Sequence, residues 1–255
     1  MLGIMRLFRR KLSARGGEDM VDGDERSEFN MDGAASSLEL AMVGPYEIIA
    51  PIGSGGMGTV YKAIDRRRDM TVAIKVLKPE FDLDKKKRKR DYLGREILVA
   101  ASLRHESIIR YNKEIIEQTD SQGRIRRCLL MELVDGPDLR KPIADRDLTV
   151  PQMVDVCIRL CRGLDYLHQN NIVHRDIKPS NIILEAQSGL SKILDFGIAK
   201  FVNEDEMKLT GTGMVLGSTH YLSPEHIIGK NLDGRSDIFC LGTLLYESAT
   251  GVLPF

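Results

Sequence analysis

Between two runs rich in β-branched and aromatic residues, Tyr46-Glu-Ile-Ile-Ala-Pro-Ile52 and Thr59-Val-Tyr-Lys-Ala-Ile64, lies the glycine-rich segment Gly53-Ser-Gly-Gly-Met-Gly58. Both flanks read as strands, so the chain must fold here as a hairpin with a glycine-rich tip. A G-x-G-x-x-G spacing alone fits dinucleotide folds and many ordinary tight turns. In a dinucleotide fold, however, the last glycine opens a helix, whereas Gly58 runs into Thr59-Val60-Tyr61. Strand-loop-strand is the remaining geometry. Glycines at 53, 55 and 58 would let backbone N–H groups approach phosphate oxygens without obstruction by Cβ.

A third strand, Thr71 to Leu77, carries Lys75 among Val72, Ala73, Ile74, Val76 and Leu77. A buried, unpaired ammonium is costly, so Lys75 calls for an anionic partner. Glu96 is the candidate, on the inward side of a helix expected over 84–103, where Leu93, Ile97, Ala100 and Leu103 share a face. Two more strands are expected around 108–118 and 126–134, joined by the turn Thr119-Asp-Ser-Gln-Gly123.

The second half turns helical. Thr149-Val-Pro-Gln152 has capping-box spacing, and a stripe of Met153, Cys157, Leu160, Cys161, Leu164 and Leu167 follows it, with the two cysteines read as core packing. The segment 236–249 is apolar on every side, which predicts a helix enclosed all round. Between these helices, His174-Arg-Asp-Ile-Lys-Pro-Ser-Asn181 and Asp195-Phe-Gly197 gather two carboxylates, an amide and a lysine in loops. Such a set supplies a general base, oxygen ligands for a hard cation and a positive charge for a phosphoryl group.

The remaining features bound the reading. With 37 basic and 37 acidic residues the formal charge is zero, so no global field draws the chain to nucleic acid or membrane. The four cysteines include no C-x-x-C pair, which argues against a disulfide framework or a structural zinc and for a reducing, cytoplasmic compartment. No apolar run exceeds the five residues Ile97 to Ala101, so no membrane span is expected within the chain. A tether beyond residue 255 stays open. Residues 1–44 read as a flexible tail, its first twelve residues being either a disordered leader or a short membrane-surface helix. The run Lys85-Lys-Lys-Arg-Lys-Arg90 reads as a solvated cationic turn, with a nucleic-acid patch as the alternative.

Taken in order, these motifs resemble the eukaryotic-like Ser/Thr protein kinases, bacterial branch, from about Tyr46 to Phe255. The resemblance implies an α+β, two-lobed fold. A small antiparallel β lobe with one helix and the hinge would occupy 45–134, and a mainly helical larger lobe, lacking its last helices, 135–255. It implies that Gly53, Ser54, Gly55, Gly56 and Gly58 cover the phosphates of ATP, and that Lys75, held by Glu96, engages the α and β phosphates. Asp176 would orient and deprotonate the substrate hydroxyl, with Lys178 against the γ-phosphate, and Asn181 and Asp195 would hold Mg²⁺. Ile52, Val60 and Ala73 would sandwich the adenine, Met131 would be the gatekeeper, and the backbone of Glu132 and Val134 would face the base. Asp237 would brace the catalytic loop.

The Lys178-Pro179 pair looks like the Ser/Thr-specific form, so the implied partners are proteins with Ser/Thr acceptors. Thr210 and Thr212 lie where relatives autophosphorylate, which implies self-association and pairing of a phosphate with Arg175. Ser218 and Thr219 depart from the family's usual Thr and Pro. Glu225 would normally find an Arg further along the chain. The alternative expectation is a truncated, non-catalytic module that binds nucleotide or a partner.

Overall fold

The computed structural model describes residues 40–55, 58–78, 98–195, 219–230 and 232–255. The first half is one antiparallel sheet of six strands in the order β1-β2-β3-β4-β6-β5. Its strands are β1 (Met42–Val43), β2 (Tyr46–Gly55), β3 (Gly58–Asp65), β4 (Met70–Leu77), β5 (Tyr111–Thr119) and β6 (Ile125–Met131). Period-2 alternation divides the side chains between two cores. Ile74, Val76, Cys128 and Leu130 pack with Tyr46, Ile48, Tyr61 and Ala63 on one face. Leu77, Leu129 and Tyr111 join the larger core of the second half on the other. Lys75 alternates with Ile74 and Val76 and so lies on that second face, in register with Leu129.

Three boundaries differ from the sequence reading. Residues 40–44, assigned there to the tail, belong to the sheet: Leu40 and Val43 are buried and β1 pairs with β2, while residues 1–39 lie outside those described. The strand expected from 108 begins at Tyr111, because Ile109 instead donates its N–H to the carbonyl of Ile193 at 3.0 Å. The strand expected to reach 134 stops at Met131, where the Glu132 N–H turns to the carbonyl of Arg110 at 3.0 Å. Of the helix expected over 84–103, only its last residues are described, helical at 98–100, with Ala100, Ala101 and Leu103 buried.

The second half contains α1 (Arg140–Ala144), α2 (Val150–Gln169), a 3₁₀ turn (Pro179–Asn181), the hairpin β7 (Ile182–Leu184) and β8 (Ser191–Ile193), a second 3₁₀ turn (Thr219–Tyr221), α3 (Pro224–Ile227) and α4 (Gly234–Thr250). The expected capping box starts α2: Thr149 donates its N–H to Gln152 Oε1 at 2.9 Å, and its own side chain accepts from the Gln152 N–H. The buried stripe is rotated from the expected one. It runs through Val156, Leu160, Gly163, Leu164 and Leu167, while Cys157 is half-buried and Cys161 exposed. The 3.6-residue period carries Cys161 off the face that Leu160 and Leu164 define.

α4 is not enclosed on every side. Ser236, Asp237, Cys240, Leu241, Thr243 and Leu244 are buried, but Ile238 and Tyr246 are 52% and 44% exposed. Gly234 opens the helix because a Cβ there would come within 2.7 Å of the His168 ring, so only glycine lets α2 and α4 approach this closely.

Gly58 and Gly53 differ in the same sense. A Cβ on Gly58 would lie 2.1 Å from the carbonyl oxygen of Val76 in the neighbouring strand, whereas one on Gly53 meets nothing within 4 Å. Gly58→Ala is therefore expected to lose about 2 kcal/mol of folding stability and Gly53→Ala less than about 0.5 kcal/mol. Denaturant unfolding of both variants checks this, and equal losses would contradict it.

Candidate active site

The strand β4 delivers Lys75 to the sheet face turned toward the second half. Its side chain is 5% exposed, and its Nζ lies 2.7 Å from Asp195 Oδ1. The anionic partner demanded by burial is thus found, but among the described residues it is Asp195; Glu96, the expected partner, lies outside them. Asp195 lies two residues past the end of β8. It takes a left-handed backbone conformation, φ +48°, which an L-residue adopts only at a cost.

The loop 174–181 hangs on one buried carboxylate. Asp237 of α4 accepts the N–H of His174 at Oδ2 and the N–H of Arg175 at Oδ1, each at 2.8 Å, and His168 Nε2 donates to Oδ2 at 2.8 Å. Burial pushes the Asp237 carboxyl up. The His168 hydrogen bond and the two backbone N–H groups outweigh it and hold it below the usual carboxylate range. This is the brace that the resemblance implied. Arg175, gripped at its N–H, sits at φ +67°.

The His174 ring is fully buried, and its Nδ1 accepts the N–H of Asp176 at 3.2 Å. Its Nε2 lies 2.7 Å from the carbonyl of Leu194. Since a carbonyl only accepts, Nε2 carries the proton and the ring is the neutral tautomer. Burial lowers its pKa from 6.5, outweighing the pull of Asp237 and of the Leu194 carbonyl. His174 therefore ties the Asp176 loop to the segment that ends in Asp195.

Around Asp176 the side chains close a small network. Asn181 Nδ2 donates to the Asp176 carbonyl at 2.7 Å and to its Oδ2 at 2.9 Å, and Lys178 Nζ lies 3.0 Å from the same Oδ2. Asn181 ends the 3₁₀ turn just before β7, and Asp195 comes shortly after β8. The register Ile182↔Ile193 brings the open ends together, and the Leu194 N–H donates to the Asn181 carbonyl at 2.8 Å. With its Nδ2 committed to Asp176, Asn181 turns its amide oxygen elsewhere, so this hairpin end offers an amide and a carboxylate oxygen. Two hard oxygen donors suit a divalent cation that takes its other ligands from phosphate and water, as Mg²⁺ does.

Where the resemblance places the adenine, Met131 is half-buried opposite Ala73 in the sheet, which is 3% exposed. Val60 lies opposite both Gly53 and Lys75, and Ile52 is half exposed. Glu132 gives its backbone N–H to Arg110, and its side chain holds the Arg110 N–H at 2.9 Å and Lys192 Nζ at 2.7 Å, which fixes the strand-to-helix passage from which Val134 follows. Ser54 and Gly55 end β2. Gly56, Thr210 and Thr212 lie outside the described residues, as do Ser218 and the run 85–90. Glu225 accepts a hydrogen bond from Ser236 Oγ at 2.5 Å.

A six-stranded antiparallel sheet carrying a buried lysine, facing a carboxylate-braced loop and a short hairpin with oxygen donors, defines the protein kinase class. The chain belongs to the protein kinase domain family, which matches residues 46–255. It is 37% identical over 211 residues to a probable serine/threonine-protein kinase PknB of Corynebacterium glutamicum, covering 82% of this chain and 32% of that one. To the serine/threonine-protein kinase PknB of Mycobacterium leprae it is 38% identical, covering 82% and 33%. The chain thus spans about a third of the length of these curated relatives. Among solved structures, it is similar to Rad53 in complex with AMP-PNP, with TM-score 0.64 and 30% identity over 83% of this chain and 50% of that one. The PknI kinase domain of Mycobacterium tuberculosis matches with TM-score 0.65 and 26% identity, over 86% and 80%. The two-lobed kinase fold expected from the motifs is therefore the fold of this chain.

Sequence reasoning missed three parts of the site. Nothing in a helix-end His168 announces its bond to a carboxylate 69 positions away, nor does Tyr111 announce its partner Asp195, 84 positions away. The Lys192–Glu132 pair likewise joins residues 60 apart. Each of these residues has an ordinary local reading as a helix end, a strand aromatic or a surface charge.

The neutral His174 generates a pH prediction. Its folded pKa lies below the ordinary 6.5, so unfolding takes up a proton; the stability it contributes is full above 6.5 and falls as pH drops toward the folded value. Unfolding free energy measured by denaturant is expected to fall below that pH by up to about 1.4 kcal/mol per unit, and the wild-type minus His174→Phe difference isolates this limb. A difference independent of pH would contradict it.

Proposed function

We propose that this chain is the catalytic part of an ATP-dependent protein kinase that transfers the γ-phosphoryl group to Ser or Thr hydroxyls of protein substrates. The single observation that carries the reading is the Lys75–Asp195 ion pair at 2.7 Å, set beside Asn181 by the β7–β8 register. It brings a cation for phosphates and oxygens for a metal into one place. The names of the PknB relatives, and AMP-PNP in the Rad53 complex, support the same chemistry.

In this reading Lys75 engages the α and β phosphates, and Gly53, Ser54, Gly55, Gly56 and Gly58 cover them. The open space over Gly53 and Gly55, where an added Cβ meets nothing within 4 Å, fits that role. Ile52, Val60 and Ala73 pack against the adenine, beside Met131 and the backbone of Glu132 and Val134. Asn181 and Asp195 hold Mg²⁺, whose charge neutralises the phosphates. Asp176, oriented by Asn181 and Lys178, accepts the proton of the acceptor hydroxyl. Lys178, 3.0 Å from Asp176, is placed to meet the γ-phosphate next to that base. Positioning and charge supply most of the acceleration. The four cysteines are free thiols, which fits a reducing cytoplasmic compartment.

Incorporation of labelled phosphate into a Ser/Thr acceptor protein, dependent on Mg²⁺, tests this reading. Asp176→Asn is expected to lower the rate by at least about 100-fold while nucleotide still raises the thermal midpoint. Stabilisation by nucleotide with no transfer from the wild type would instead select the non-catalytic binding module.

We further propose that Thr212 or Thr210 is autophosphorylated between two copies of the chain. A phosphate of about −2 charge next to the catalytic loop would pair with the guanidinium of Arg175. Mass spectrometry after incubation with ATP and Mg²⁺ is expected to find phosphate on one of the two. Both unmodified, with transfer to the acceptor intact, would contradict it.

A further inference from the structure

Tyr111 opens β5 and is 2% exposed, yet it places a hydroxyl in the core. A buried phenol keeps its proton and seeks an acceptor. Here the acceptor is Asp195 Oδ1, at 3.2 Å. The bond joins the first residue of β5 to a loop residue 84 positions further along the chain. That residue is held at φ +48°. Two groups, Lys75 Nζ and Tyr111 Oη, converge on Oδ1, while among the described residues none donates to Oδ2.

The foundation of Tyr111 is itself fixed. It stands opposite Met131 in the sheet, and the residue before it, Arg110, exchanges hydrogen bonds with Glu132 through its N–H at 2.9 Å and its carbonyl at 3.0 Å. A phenylalanine would fill the same volume without burying a polar atom. The hydroxyl therefore has its reason in Asp195.

We propose that Tyr111 is a positioning residue for the divalent cation: its hydroxyl locks Asp195 in the left-handed conformation with Oδ1 against Lys75, leaving Oδ2 presented to the metal. The inference rests on the reading of Asp195 as a metal ligand. It also makes Tyr111 the link between the base-binding segment 131–134 and the metal site. Loss of the hydroxyl frees the carboxylate to rotate and the backbone to leave its left-handed conformation, and cation binding must then reorder both.

Mn²⁺ binding to the full chain saturated with a non-hydrolysable ATP analogue, followed by electron paramagnetic resonance of the free ion, tests this without any turnover. Tyr111→Phe is expected to weaken Mn²⁺ about tenfold, the loss of one hydrogen bond to a charged group. Affinity for the analogue without metal should stay within about twofold, and the thermal midpoint should fall only by the small amount that one hydrogen bond contributes, since the ring is kept. Tyr111→Leu, which also lacks the hydroxyl, should weaken Mn²⁺ by at least as much. Wild-type and Tyr111→Phe affinities for Mn²⁺ within twofold of each other would overturn the inference and leave the kinase reading standing. Failure of the wild type to bind Mn²⁺ with the analogue would overturn both.

Discussion

One ion pair joins the sheet to the chemistry. Lys75 is almost fully buried on β4, and its contact with Asp195 at 2.7 Å reaches from the first half of the fold to the end of the β7–β8 hairpin in the second. Removing one partner of a buried pair costs about 3 to 5 kcal/mol, because the other charge is left uncompensated. Asp195 is 30% exposed, so water softens that figure on its side. In the proposed function the same pair is where phosphate and metal would meet.

The second constraint is the buried carboxylate of Asp237. Three donors converge on it, two from the backbone of the loop and one from His168. Those bonds help hold Arg175 in its left-handed conformation, just as Asp195 is held from Tyr111 and Lys75. Strained backbone persists only where its surroundings over-determine it. His174 links the two strained points, since its ring bonds to Asp176 on one side and to the carbonyl of Leu194 on the other. The site is consequently one connected polar network laid over a fully buried apolar base that includes Ile177, Ile182 and Ile193.

What was legible in the sequence was whatever is encoded locally. The strand-loop-strand around Gly53, the β4 pattern around Lys75 and the capping box at Thr149 all follow from spacing along the chain, and each stands in the structure. The order of His174, Asp176, Lys178, Asn181 and Asp195 carried the family. Other features rest on contacts between distant positions and left no local trace. Whether Cys161 faces core or solvent depends on a small rotation of α2, and where β6 ends depends on Glu132 finding Arg110. The burial of Leu40 and Val43 required β1 to find β2, which the acidic, glycine-bearing stretch around it hid. Expecting α4 to be enclosed all round followed from its composition alone; the side bearing Asp237 is buried and the side bearing Ile238 and Tyr246 is largely open.

Calorimetric titration of ATP with and without Mg²⁺ decides whether Lys75 and Asp195 act together as the phosphate-and-metal end of a nucleotide site. The wild type is compared with Lys75→Met, Asp195→Asn and the double variant. Mg²⁺ is expected to strengthen ATP binding to the wild type, Asp195→Asn to remove this metal-dependent gain, and the two substitutions to be non-additive because they share one interaction. ATP affinity indifferent to Mg²⁺ and to both substitutions would contradict that joint action.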